Sequence, residues 1–181
     1  GRERYFLLVV DDYTRYTTVF PLRSKGEENG VAERRIGLVM EVACTSMIHA
    51  DAPHFLWSFA VWYAAHELNF LPRVSLPETS TILRWKGKVG DASVFRVWGS
   101  RSFVRDTSAD KLSSHAIPFV FLGFPPNAPG WQFYHPTSRR VLPSQDVTFD
   151  RSVPFYRLFP YRTALLPPSP LRVLLLRVCL R

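Results

Sequence analysis

Asp11 and Asp12 stand side by side in the run Asp11-Asp12-Tyr13-Thr14-Arg15, and Glu33 stands where a helical pattern begins. Carboxylates are the side chains that hold hard divalent cations, because magnesium takes oxygen ligands. A pair of such ions clamps the attacking and leaving oxygens of a phosphodiester during in-line displacement, so the acids must converge on one point from separate elements. No third acid is placed to converge with Asp11 and Asp12, and short acids in a turn bond back to their own backbone. Turn chemistry is therefore the expectation for both. Glu33 has its own plain role, since an acid at a helix N-terminus is favoured by the macrodipole.

Other groups are weighed in the same way. Arg34 and Arg35 follow Glu33, and arginine suits phosphate as a bidentate donor; ordinary exposed charge at a helix start is the plainer account, because a phosphate contact needs the surrounding groove. His49, His54, His66, His115 and His135 form no HxxxH spacing, and Cys44 and Cys179 form no CxxC. No metal site is expected, nor a disulfide framework. Further along, Arg96, Arg101, Arg105, Lys111, Arg139 and Arg140 interleave with Trp98, Trp131 and Tyr134. That mixture would suit a nucleic-acid face, or a small core filled by the aromatics with the basic groups turned outward.

The net charge is +8, and its placement matters more than its size. Residues 1–50 carry seven basic and seven acidic side chains, whereas residues 151–181 carry six arginines and no acid. Most of the excess belongs to the last thirty-one residues. Counterion release favours phosphate binding by a basic chain, but the body of this one could bind phosphate only through local patches. At 46% hydrophobic and 14% aromatic, the composition supports a packed core. There is no secretory signal pattern in the first thirty residues, and no run nears the roughly eighteen apolar residues of a membrane span. A reducing, intracellular setting is the default expectation, nuclear if the chain engages DNA.

The elements that must position these groups can be read from pattern. Tyr5–Val10 is an unbroken apolar run, expected as a strand buried on both faces, and Tyr16–Leu22 reads as the returning strand of a hairpin. Ile36, Val39, Met40, Ala43 and Met47 fall on one helical face. Asp51 could cap a second helix with Pro53 in its first turn, and Phe55–Ala65 is apolar all round. From Ser93 short strands with turn signals follow, centred on Val94–Val104, Ile117–Phe124, Trp131–His135, Arg139–Leu142 and Gln145–Phe149, which suggests a small barrel.

Three blocks carry a family resemblance. Tyr5–Leu22 (YFLLVVDDYTRYTTVFPL) resembles the first strand pair of a copia-type (Ty1/copia) retrotransposon integrase core, which has an RNase H-like fold. Asn29–Ile36 (NGVAERRI) resembles the start of that core's catalytic helix. Val97–Asp150, with VWGSRSFV, FVFLGF, GWQFYHP and QDVTFD, resembles the SH3-like domain that follows the core in the same Pol polyprotein. Singly each block is weak; in order they cover roughly residues 1–157.

The resemblance implies a magnesium-dependent integrase of DNA with a carboxylate triad, of which Glu33 is the sole match. The second acid of the family stands roughly thirty-five residues before that Glu, and counting back from Glu33 leaves the chain. Six residues separate Leu22 from Asn29, too few for the intervening strands and helices. The expectation is thus an internal deletion near residues 26–29, with the first acid upstream of Gly1. It divides the chain into a hairpin at 1–28, integrase-core helices at 29–72, a linker at 73–92, an SH3-like β domain at 93–157 and a basic, disordered Pro/Leu/Arg-rich tail at 158–181. The fold class expected is α+β: a truncated RNase H-like core followed by a small SH3-like β-barrel. The expected function is a catalytically inactive integrase fragment, with no bound cofactor. Its partner would be DNA or other nucleic acid, through Arg34, Arg35, Arg101, Arg105, Lys111, Arg139 and Arg140. No membrane partner is expected, whereas self-association through exposed apolar surface is. The alternative is a non-enzymatic assembly fragment or an inert transposon relic.

Overall fold

The structure is a computed structural model that describes residues 5–11, 13–22, 33–73, 76–105, 116–126, 128–154 and 172–178. Its contacts divide the chain into two compact units. One comprises Gly1–Cys44, His54–Phe95 and Leu166–Arg181, the other Thr45–Pro53 and Arg96–Leu165.

In the first unit β1 (Tyr5–Asp11) pairs antiparallel with β2 (Thr17–Leu22), with Leu8 opposite Val19. Burial along β1 alternates: Phe6 and Leu8 are fully buried, while Tyr5, Leu7 and Val9 are half-buried. The strand therefore has one core face, not the two expected from its apolar run, which is the period-2 signature of a half-covered sheet. Pro21 is accommodated because β2 is bonded only to β1, leaving an edge that needs no donor. The third strand of this sheet is β10 (Arg172–Val178), which lies parallel to β1 on its other side. The disordered tail expected for 158–181 is thus corrected over 172–178, where an apolar run supplies strand-forming residues; residues 158–171 and 179–181 lie outside the described residues.

Helix α1 (Glu33–Ala50) buries Val39, Ala43 and Ala50, with Ile36, Met40 and Met47 half-buried, so the apolar face read from spacing is the one used. Asp51 does not cap the next helix. It closes α1 instead: its φ is 50°, its N–H donates to the Ile48 carbonyl at 3.1 Å, and the Ala52 N–H donates to Met47 at 3.0 Å. These two bonds are the pair that defines a Schellman ending. After a single 3-10 turn at His54–Leu56, α2 (Trp57–Phe70) begins with no side-chain cap and buries Ala60, Val61, Tyr63, Ala64, Ala65, Leu68 and Asn69.

Residues 73–92 are not a plain linker. A short pair, β3 (Pro72–Arg73) and β4 (Leu76–Ser80), leads into α3 (Thr81–Lys86). The Ser80 side chain accepts from the Leu83 N–H, and Gly87 at φ 68° returns its N–H to the Leu83 carbonyl. Trp85 of α3 stacks on Tyr16, ring centroids 5.0 Å apart, and Arg84 lies over Tyr13.

The second unit is a five-stranded antiparallel sheet in the order β8-β7-β6-β5-β9, built from β5 (Ser100–Arg105), β6 (Ala116–Gly123), β7 (Trp131–His135), β8 (Arg140–Ser144) and β9 (Val147–Pro154). Val94–Gly99 is not strand as expected: Ala92–Val94 is a 3-10 turn, and Gly99 at φ 76° stands before β5. A side chain at Gly99 would fall 2.3 Å from the Ala50 Cβ, so backbone and glycine are matched there. Strand β6 is buried on both faces, by Phe119 and Phe121 on one and Val120 and Leu122 on the other. Pro118 survives in this central strand because β7 pairs only from Val120 onward.

Candidate nucleic-acid interface

Glu33 is the first residue of α1, and its side chain lies outside the described residues. Arg34 follows in the first turn and is exposed. Arg35 turns inward: its Nε donates to the Thr17 hydroxyl at 3.0 Å and its terminal nitrogen to the Leu68 carbonyl at 3.4 Å. Thr17 is held a second way. Its N–H donates to the Asn69 side-chain oxygen at 2.9 Å, and the Asn69 amide donates back to its carbonyl at 2.6 Å. Asn69 is 1% exposed, so this amide acts as a strand neighbour for the start of β2 and fixes the hairpin to α2. Arg35 then ties α1 to both. It is an arginine held by protein partners.

Asp11 is likewise committed. Its carboxylate accepts from the Thr14 N–H at 2.7 Å and from the Thr14 hydroxyl. Those bonds hold its pKa below the ordinary carboxylate value, the side-chain bond contributing most. This is the turn chemistry expected; Asp12 lies outside the described residues. Among the described residues no three His, Cys, Asp or Glu side chains gather as a metal site would require, and no helix is long and apolar enough to cross a membrane.

In the second unit the aromatics belong to the core. Trp98 is 3% exposed and donates its indole N–H to the Leu122 carbonyl at 3.2 Å, and Tyr134 is also buried. Phe149 meets Phe121, Phe133 and Trp131 at centroid distances of 5.4, 6.0 and 5.3 Å. Arg96 lies over Trp131 and Phe149. Trp98 and Tyr134 are thus packed into the small core and not presented to a ligand, whereas Trp131 is half-buried against Phe149 and Arg96.

The basic residues separate into two kinds. Arg101 bonds Asp150 through Nε at 2.8 Å and through a terminal nitrogen, strapping β5 to β9, and covers the Phe103 ring. Arg105 pairs with Asp146 at 3.4 Å with both side chains well exposed, a contact solvent makes weak. Arg139 and Arg140 are exposed at the β7–β8 turn, Arg139 at φ 55°. Beside them the Ser138 N–H donates to His135 Nδ1 at 3.3 Å, which shapes the turn. Lys111 lies outside the described residues. Sequence reasoning missed that Thr17 and Leu68 would hold Arg35 and that Asp150 would hold Arg101; an Asn in an apolar helix was the available signal for the Asn69–Thr17 joint.

The comparisons with known proteins bear on what such a chain is. Residues 100–159 match the family model described as the retroviral polymerase SH3-like domain. The chain is 30% identical over 128 residues to a retrovirus-related Pol polyprotein from transposon TNT 1-94 of Nicotiana tabacum, covering 70% of this chain and 10% of that relative. It is 23% identical to the retrovirus-related Pol polyprotein from transposon RE1 of Arabidopsis thaliana, over 93% of this chain and 15% of the relative. The corresponding polyprotein from transposon RE2 is 22% identical over 88% of this chain and 14% of its own length. The chain thus spans about a seventh of these relatives or less. No solved structure matches. The RE1 alignment runs over 225 residues, longer than the 181-residue chain, so the relative carries sequence that is absent here. By the match of its second unit and its alignment across both, the chain is related to the copia-type, retrovirus-related Pol polyproteins of transposons.

Proposed function

We propose that the chain is a segment of a retrotransposon integrase that does not itself catalyse DNA integration and retains a weak, sequence-independent contact with nucleic-acid phosphates. The observation that carries this is the division among its basic groups: Arg35 and Arg101 are committed to protein partners, while Arg34, Arg139 and Arg140 stay exposed. Exposed arginines position phosphate without reading sequence. Catalytic silence rests on the acids. Glu33 is the single residue matching the triad, Asp11 is held by Thr14, and an alignment longer than the chain fits an internal deletion, which we place near residues 26–29. Tyr5–Leu22 and Glu33–Phe70 are read as the surviving part of an RNase H-like core. Magnesium, the ion of the intact family, would have no complete ligand set.

Titrating a labelled DNA duplex at rising salt tests the binding. Each phosphate contact contributes about 0.9 to the slope of log affinity against log salt. Replacing both Arg139 and Arg140 by Gln should lower that slope by roughly 1.8; an unchanged slope would remove the hairpin tip from the interface. Product in a magnesium-dependent strand-transfer assay would overturn the inactivity. A second reading, an assembly fragment, is favoured by Ile48 at 78% and Val89 at 81% exposed. It requires concentration-dependent mass in light scattering with no DNA binding.

A further inference from the structure

In the turn between β1 and β2 the side chain of Tyr13 is 76% exposed, and in α3 Trp85 is 42% exposed. Each ring belongs to a pair. The Arg84 guanidinium carbon lies 5.1 Å from the Tyr13 ring centroid, and Trp85 stacks on Tyr16 with the planes 12° apart. Two adjacent residues of one short helix thus meet two aromatics of one turn. Both supports are fixed. The Arg15 N–H donates to the Asp11 carbonyl at 2.8 Å, and α3 is capped by Ser80 at its start and Gly87 at its end. Lys86 and Lys88 follow Trp85 and are exposed. Asp11, in the same turn, is buried and its carboxylate is engaged by Thr14.

Packing accounts for part of this arrangement, since the stack of Trp85 on Tyr16 seats α3 on the hairpin. It does not account for Tyr13, whose ring stands mostly in water with a cation over it. Exposed rings bordered by cations suit unpaired bases, which stack on the rings while the basic groups follow the phosphates. Trp98 and Tyr134 of the second unit are buried and cannot serve in this way.

We propose that Tyr13 and Trp85, with Arg84, Lys86 and Lys88, form a binding site for single-stranded nucleic acid. Bases in a duplex are already stacked on one another, so the site favours single strands. It uses none of the exposed arginines Arg34, Arg139 and Arg140, and it stands whether or not those contact phosphate. An acidic peptide would match the charge but gives no reason for the exposed ring.

The full chain is titrated with a labelled single strand of about twelve thymidines and with a duplex of equal length. Tyr13→Ser removes a mostly exposed side chain, and should weaken single-strand binding at least about fivefold. Tyr13→Phe, which keeps the ring, should bind within roughly twofold of the parent. Neither change should alter duplex binding. Lys86→Gln with Lys88→Gln should lower the slope of log affinity against log salt by roughly 1.4 on the single strand. Binding should also quench tryptophan emission, and Trp85→Phe should diminish that quench. Arg139→Gln with Arg140→Gln should leave the Tyr13-dependent difference in place, which separates this site from the β7–β8 turn. Equal loss on both nucleic acids, no loss with Tyr13→Ser, or a quench unaltered by Trp85→Phe would overturn the proposal. So would displacement of the single strand by a polyglutamate peptide of equal charge as effective as unlabelled strand.

Discussion

Asp51 ends α1 in a conformation that glycine adopts at less cost. Its φ of 50° lies in the left-handed region, and its N–H and that of Ala52 complete the helix ending by bonding Ile48 and Met47. A side chain there costs about 1 kcal/mol, less for Asp than for bulkier residues. Asp51→Gly should accordingly stabilise the chain, by up to roughly 1 kcal/mol after the flexibility glycine adds to the unfolded state. Urea denaturation read by circular dichroism would measure it; a loss of stability would mean the Asp51 carboxylate contributes a bond that offsets its backbone strain. The same residue shows a limit of sequence reading. Asp before a proline and an apolar run reads as an N-cap, but Asp also tolerates the left-handed region at a helix end. Both roles use the same short acid, and only the path of the chain decides between them.

At the scale of elements, the Thr17–Asn69 exchange is the joint on which the hairpin hangs. Asn69→Leu keeps the branched shape but leaves the buried Thr17 N–H and C=O without their partner. The cost should be about 2–4 kcal/mol of the first unit's stability. Arg35→Gln should cost less, because its bonds are part-buried. Hydrogen exchange at β2 would report both, and an Asn69→Leu chain as protected as the parent would show that water replaces the amide. The hairpin, the α1 face and the five short strands were legible because each follows a strong local period. The pairing of β10 with β1 was not, since a parallel strand contacts residues about 170 positions away and local pattern carries no record of such a partner. Nor was α3 legible: six residues between a Ser and a Gly are too few for a period to declare itself, and its place is set by Trp85 stacking on Tyr16.

For the molecule as a whole, acid should act on the first unit through His66. Burial, with the nearby Lys86 charge adding to it, holds the His66 pKa down at about 4, against an ordinary 6.5. Its ring lies among those of Phe70 and Phe95, at 5.7 and 6.0 Å, and the neutral form is the one this apolar setting accepts. The sign follows from proton uptake. Between pH 6.5 and 4 the unfolded chain binds a proton at this position that the folded chain refuses, so stability is full above 6.5 and falls as pH drops toward 4. Glu67, one residue on, runs the other way: burial raises its pKa, and the stability it contributes is present in acid and lost as pH rises through that raised value. Asp11, with its pKa lowered, adds a loss only below the ordinary carboxylate range. The net curve alone would therefore mix opposing groups, and the comparison that isolates His66 is with His66→Gln, which cannot titrate. Melting temperature measured from pH 4 to 8 should fall more steeply toward acid in the parent than in the variant, with the two differing most near pH 4 relative to their separation at pH 8. Parallel curves would place His66 in water, and would undo the packing of α2 against Phe95 on which the argument stands.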